Sequence, residues 1–467
     1  MAATTVGIKD RGSQIPYAEP PWLSDLPSPY IRDSHRRLQR AMREWVDKNL
    51  IPNASDWERC GRFSPDLYQA CAEAGILMPM AAGKTIPHEW RSFYPIIGGI
   101  EASEWDGFHD FIIHDEMMRV GGIGIPNGLI GGLTLCLPAL KKHGKGPAIE
   151  RIIDEALSGQ SQFSLAVTEP EAGSDVQGVT TTAILGADGT TYTVNGQKKV
   201  PFSDDPRLYL MASPTVGYSE ANKALQWITG GMYAKYFLTL TRTVDQGFTL
   251  LVIPKDSTVT VRPMEMCGSA CAGTAFVEFD DTVVPVTNRI GEHGGGLACV
   301  MSNFNHERLF ISFQAMRCAR MCLEDALSHA ITRETFGQEL VSHAVVRHKL
   351  AHMAREVEAL HSWIETLIYQ LGNLDEREST AKLAGQMAQL KAHSGIVLER
   401  VVSQGIQLMG GLGLTRGGRG ERLERIWRDV KAITIPGGSE DILLDLSIRR
   451  AVRGLTGASE PRKNAKM

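Results

Sequence analysis

Residues 167–175 read Val-Thr-Glu-Pro-Glu-Ala-Gly-Ser-Asp, and the texture of the chain changes around this loop. From residue 161 onward QFSLAVTEP, TTAIL, TYTVNG, YFLTLTR, FTLLVIP and TAFVEFDDTVVP alternate or run apolar between turn signals, which predicts an antiparallel β region. The loop is built of small and hydroxyl-bearing residues, so its backbone can approach a polar ligand closely. An ordinary Gly/Ser turn would read the same in isolation. Upstream, SHRRLQRAMREWVDKNL places Leu38, Met42, Trp45 and Val46 on one helical face, with Ser34 offered as N-cap. Further helices are expected at 65–76, 109–119 and 145–158, and long ones at 308–332, 343–371, 380–410 and 440–454. The reading is an α+β chain. It has an extended arm (1–32), an N-terminal helical domain (33–160), a central antiparallel β domain (161–292), a C-terminal four-helix bundle (293–455) and a polar tail (456–467).

Composition narrows the function classes. A chain of 467 residues with a formal charge of −4 can bury a large core and carries no nucleic-acid footprint. Its eight cysteines include no CxxC pair and its 13 histidines no HExxH, so neither a disulfide framework nor a metal site is expected. No stretch approaches the roughly 18–20 apolar residues that span a bilayer. Neither end carries a clear targeting signal, and a cytoplasmic protein is the expectation.

Three later stretches join the opening loop: Arg333-Glu-Thr-Phe-Gly337, Gln407-Leu-Met-Gly-Gly411, and Arg428-Asp429 followed by IPGGSEDI. Together the four motifs resemble the acyl-CoA dehydrogenase family of flavoproteins over roughly residues 33–455. The resemblance implies FAD, shared between subunits of a homodimer or homotetramer. Carried over, Val167, Thr168 and Ser174 lie along the flavin and its pyrophosphate. Arg333 and Phe336 reach a neighbour's FAD, and Gln407, Gly410 and Gly411 line the same nucleotide. Guanidinium suits a diphosphate, and paired glycines permit close main-chain approach. Read without the family, Arg333 is a helix-end charge.

In the family a turn after Asn-Gly leads directly into a strand reading Trp-Ile-Thr, whose Trp and Thr meet the flavin. Here Asn195-Gly196-Gln197-Lys198-Lys199 is separated from Trp227-Ile228-Thr229 by residues 200–226. Joining Lys199 to Trp227 restores the pattern, so Trp227 and Thr229 become the flavin contacts and 200–226 the intruder. Val200 has a codon beginning GT, Gln226 can be CAG, and Ala221-Asn222 can be written GCTAAC, a branch-point-like sequence. The segment is therefore read as an in-frame retained intron. A true surface insertion is the alternative, since loop closure costs only about 0.6 kcal/mol per doubling of length.

The resemblance implies removal of an α-proton from an acyl thioester while a β-hydride passes to the flavin. Such a step needs a carboxylate base in a dry pocket and donors on the thioester oxygen. Most members carry the base as Glu after the Arg-Asp helix, where this chain has Gly437; its backbone N–H is the expected donor to the thioester oxygen. Isovaleryl- and long-chain-type members carry it in a Glu-Arg-Leu pattern, matched here by Glu307-Arg308-Leu309. Glu307 is thus the expected base, supported by Arg308. The alternatives are that Glu307 merely starts a helix, or that Glu440 is the base. The expected partners are an acyl thioester on CoA or a carrier protein, and an electron acceptor such as electron-transferring flavoprotein or O2. An O2-using oxidase and a non-catalytic nucleic-acid-binding relative are the competing functions. Neither nucleic acid nor membrane is an expected partner.

Overall fold

The computed structural model describes residues 12–91, 95–196, 225–243, 247–302 and 304–456. Contacts divide the chain into two compact units. One combines the residues up to Ile51 with Ser103–Ile123 and the chain from Asn305 onward; the other combines Pro52–Ala102 with Gly124–Phe304. The helices are α1 (Asp33–Asn49), α2 (Ala54–Cys60), α3 (Leu67–Glu73), α4 (Leu77–Ala82), α5 (Gly107–Met117), α6 (Gly124–Pro126), α7 (Gly132–His143) and α8 (Pro147–Leu157). Strands β1 (Phe163–Ala166), β2 (Thr182–Leu185), β3 (Thr191–Asn195), β4 (Leu225–Ile228), β5 (Tyr236–Thr243) and β6 (Gly247–Pro254) follow. Then come β7 (Val259–Pro263), β8 (Ala275–Phe279), β9 (Thr282–Pro285) and β10 (Arg289–Ile290). The remainder is α9 (Gly296–Met301), α10 (Phe304–Thr332), the hairpin β11 (Glu334–Thr335) and β12 (Gln338–Glu339), α11 (Ala344–Gly372), α12 (Glu376–Met409), α13 (Glu421–Thr434) and α14 (Glu440–Thr456). The architecture is α+β, with N-terminal helices, central sheets and C-terminal helices.

In the first unit, the apolar stripe of α1 is fully buried at Leu38, Met42 and Val46. Its cap is not Ser34. The N-cap residue is Arg32, whose amide donates to His35 Nδ1 at 2.9 Å, and Ser34 is buried inside the first turn. The imidazole takes this part because its other nitrogen is held by Asp106 at 2.9 Å. Asp106 also caps α5, accepting from the amides of Phe108 (3.0 Å) and His109 (3.2 Å). That cap starts the helix two residues before the expected position. Every residue from Phe108 to Met117 is buried, including His109, Asp110, His114, Asp115 and Glu116.

Buried charges require partners, and the unit supplies them. Arg43 pairs with Glu116 at 2.7 Å, and Arg317 donates through Nε to Asp115 at 2.8 Å. Both guanidinium groups also hold Glu19, at 2.9 and 3.2 Å. Burial alone would raise the Glu19 carboxyl, but Arg317 and Arg43 outweigh it and bring its pKa down to about 2. Arg320 donates to the carbonyls of Tyr17 (2.8 Å) and Glu19 (3.1 Å). The arm is therefore pinned over residues 17–19 and is followed by a short 3-10 turn, Pro21–Ser24, with Trp22 buried. Around this network Phe313, Met316, Val357, Leu360, Leu390, Leu398 and Ile426 form the helical core.

The second unit holds two sheets. One runs β10-β6-β5-β2-β3-β9 with β1 added on β5; the other is β4-β8-β7. Most pairs are antiparallel as the sequence predicts, but β1 and β2 both run parallel to β5. A parallel pair needs a long crossover, and between β1 and β5 the intervening strands provide it. Tyr192, Val194, Leu225, Phe237, Leu251, Val277 and Phe279 form the buried core. Among the described residues no helix is long and apolar enough to cross a membrane.

Candidate active site

In the second unit the 167–175 loop leaves the end of β1 beside β4. The Thr168 carbonyl accepts from the Gln226 amide at 3.0 Å. Ser164 Oγ donates to the Thr229 carbonyl at 2.9 Å. Val167, Thr168, Trp227 and Thr229 are thus assembled side by side, while Ser174 lies exposed further along the loop. Glu169 stiffens the turn by accepting from the amides and hydroxyls of Thr180 and Thr181 at 2.6–2.8 Å. Trp227 is 46% exposed. It sits at φ +57° in a bulge where the register slips between Leu225 and Ile228.

The remaining nucleotide candidates lie in the first unit. Arg333 follows α10 and leads into the β11–β12 hairpin. Phe336 and Gly337 form its tip, with φ +53° and +77°, the signs a two-residue type I′ turn requires. Phe336 is 97% exposed. Gln407 lies on the exposed face of the last turn of α12, and Gly410 (φ +60°) and Gly411 follow it. A Cβ at either glycine would meet nothing within 4 Å; the φ of Gly410 accounts for its missing side chain, whereas at Gly411 nothing within the chain does. A half-exposed indole beside a small-residue loop, an exposed phenyl ring and open glycines fit a flavin dinucleotide. Nothing in these donor sets resists it.

The first unit also brings the proposed base and its glycine counterpart together. Glu307 stands in the first turn of α10, 9% exposed. Gly437 lies in the turn after α13 with φ +69°. A Cβ built on Gly437 would lie 3.8 Å from Glu307 Oε1, 3.8 Å from Lys391 Cε and 2.7 Å from Ile311 Cδ1. Arg308 Nε donates to the Gly437 carbonyl at 3.2 Å. Burial raises the Glu307 carboxyl above its ordinary value, against the opposing pull of Arg308, Lys391 and His306. Burial lowers His306, but Asp110, 3.2 Å away, outweighs it and raises the imidazole overall. Glu440 is exposed at the start of α14.

Two motif residues have structural jobs. Asp429 is fully buried and accepts from the Ile123 amide at 3.0 Å, and Arg428 pairs with Glu424 at 2.8 Å. One residue escaped the sequence reading. Lys391 is 1% exposed and donates to the carbonyls of Thr434 (2.5 Å) and Gly438 (2.7 Å). A signal for it existed, because Ala384, Met387, Lys391, Ser394 and Leu398 follow the three-four spacing of a buried stripe. His35, Asp106 and His109 also converge, with ligand atoms within 4.8 Å of one another. The helix cap and the two imidazoles on Asp106 account for that grouping without an ion.

Comparison with known proteins supplies the family. Residues 32–160 match the acyl-CoA dehydrogenase N-terminal domain, and residues 294–452 match the acyl-CoA dehydrogenase C-terminal domain. An acyl-CoA dehydrogenase of Emericella nidulans, apdG, is 39% identical over 448 residues, covering 94% of this chain and 96% of its own. The Alternaria alternata acyl-CoA dehydrogenase AFT10-1 is 33% identical over 446 residues, covering 94% of this chain and 96% of its own. The three-dimensional structure of butyryl-CoA dehydrogenase from Megasphaera elsdenii, 20% identical, shares the fold with a TM-score of 0.75 over 91% of this chain and 100% of its own. The chain belongs to the acyl-CoA dehydrogenase family, FAD-dependent oxidoreductases acting on CH–CH groups.

Proposed function

We propose that this protein carries out α,β-dehydrogenation of an acyl thioester, with Glu307 taking the α-proton. The observation that carries this reading is the 3.8 Å between Glu307 Oε1 and the point where a Gly437 side chain would begin. Two positions that the family uses alternatively for its base converge on one spot here, and only one holds a carboxylate. Two carboxylates there would repel and push one another's protonation apart. A buried carboxylate with a raised pKa is the stronger base toward a weakly acidic C–H. Arg308 holds the Gly437 turn, whose backbone N–H polarises the thioester oxygen. Bound FAD supplies the hydride acceptor. Val167, Thr168, Ser174, Trp227 and Thr229 hold its flavin half, and Arg333, Phe336, Gln407, Gly410 and Gly411 its nucleotide half in a homodimer or homotetramer. The almost fully exposed Phe336 ring supports that second assignment. Electrons pass on to electron-transferring flavoprotein or O2. The domain division at 33–160, 161–292 and 293–455 belongs to the same proposal. The test is anaerobic addition of acyl-CoA thioesters to the FAD-loaded protein: bleaching of the flavin absorbance is expected. A full panel of straight, branched and carrier-bound thioesters that leaves the flavin oxidised would defeat the reading.

We further propose that residues 200–226 are absent from the working enzyme. Residues 197–224 lie outside the described part of the structure, but Leu225 and Gln226 form the first half of β4. With them in place Trp227 sits in the left-handed region, which disfavours a side chain by roughly 1–2 kcal/mol. Against it, Leu225 is fully buried in the β core and the Gln226 amide donates to the Thr168 carbonyl at 3.0 Å, so a direct join would put Lys198 and Lys199 in those two places. A chain lacking 200–226 is expected to retain more FAD after gel filtration than the full chain. Mature messenger RNA that uniformly encodes these residues would end the idea.

A further inference from the structure

We propose that Lys391 is a positioning residue of this reaction centre: its ammonium group ties the 434–438 turn to α12, and its charge acts on the Glu307 carboxylate. The proposal rests on the assignment of Glu307 as base. Lys391 lies on the buried stripe of α12, where an unpaired ammonium would be costly. Its two acceptors are the carbonyl of Thr434, the last residue of α13, and that of Gly438. The last carbonyls of a helix lack intrahelical donors and carry partial negative charge, so a cation is well matched to them. The turn between these acceptors contains Gly437 and Gly438 at φ +69° and +104°. Two adjacent glycines give a turn little side-chain packing of its own, so an outside anchor matters there.

The same ammonium stem faces the reaction spot. Lys391 Cε and Glu307 Oε1 each lie 3.8 Å from the Cβ position of residue 437. The charged groups acting on Lys391 are Glu307 and Arg308 of α10. Arg450 of α14 acts on Arg308, and Asp110 of α5 acts on His306 beside Glu307. Burial lowers Lys391 to about 8, so it remains mainly cationic at neutral pH. A cation so placed favours ionised Glu307, countering the burial that raises its pKa. A lysine that served only as an anchor would hold the turn without moving the titration of the base.

The experiment measures the rate constant of anaerobic flavin reduction by an acyl-CoA against pH, in FAD-loaded wild type, Lys391→Met, Lys391→Gln, Lys391→Arg and Glu307→Gln. The two neutral variants are expected to move the acid limb up by about one pH unit. That shift lowers the rate below the limb about tenfold, with the KM for thioester little changed. Lys391→Gln keeps donors for the two carbonyls and serves if Lys391→Met fails to fold. Lys391→Arg, which keeps the charge, should leave the limb in place even if the rate falls. A limb that stays put in both neutral variants, or moves equally in Lys391→Arg, overturns the proposal. If Glu307→Gln retains the wild-type limb, the base assignment and this proposal fall together. If Glu307→Gln abolishes it while Lys391→Gln overlays wild type, only the role of Lys391 falls.

Discussion

Glu307→Gln is expected to bind FAD and thioester normally and to reduce its flavin roughly 10²–10⁴-fold more slowly than the wild type, the range for loss of a general base. The amide keeps the size of the side chain, so the turn at Gly437 and its contact with Arg308 stay intact. What disappears is the acceptor for the α-proton. In the wild type the rate should rise with pH as Glu307 ionises, and because burial raises its pKa, that limb should lie above the usual carboxylate range. Single-turnover flavin reduction measures both effects. A near wild-type rate in the glutamine variant would transfer the role elsewhere, and Glu440 would be the next residue to replace.

The second large effect is on stability. Arg317→Met should lower unfolding stability by about 3–5 kcal/mol, because it strands Asp115 and half-strands Glu19 in the interior of the helical unit. Arg59→Met breaks an ion pair whose side chains are both 71% exposed and should cost no more than about 1 kcal/mol. Chemical denaturation of both variants at one pH decides the comparison. Equal shifts would mean that the buried network contributes nothing special. The pH dependence has a definite sign. Glu19 is depressed to about 2, so its contribution is fully present above the unfolded carboxylate value and is lost as pH falls toward 2.

Much of the fold was legible because periodicity records burial directly. Leu38, Met42 and Val46 announced α1, and the long C-terminal helices fell within a few residues of their expected ends. The four loop motifs carried the family. Local chemistry was harder to read where distant residues decide it. Ser34 is the better cap by residue type, yet the cap falls at Arg32, whose amide His35 accepts because Asp106, far along the chain, fixes the imidazole. The parallel pairing of β1 and β2 with β5 left no trace in strand patterns, which record faces and not neighbours. Lys391 was missed for a related reason: its place on a buried stripe is legible, but its two carbonyl partners, at the end of α13 and in the turn after it, are not. At Glu307 and Gly437 the sequence supplied two candidates, and the structure supplied their common facing point.

The contact between Glu19 and Arg317 joins residues 298 positions apart. Arg43, 24 positions on, follows Glu19 closely, but at about 5–20 residues per second of synthesis the carboxylate waits roughly 15–60 s before its second guanidinium partner exists. Asp115, 202 positions before Arg317, waits roughly 10–40 s. Throughout that interval the nascent chain carries acidic residues designed for an interior that cannot yet form, together with the exposed apolar stripe of α1. Until the ribosome delivers the residues from 305 onward, the early segments of the helical unit therefore expose apolar surface of the kind that chaperones bind.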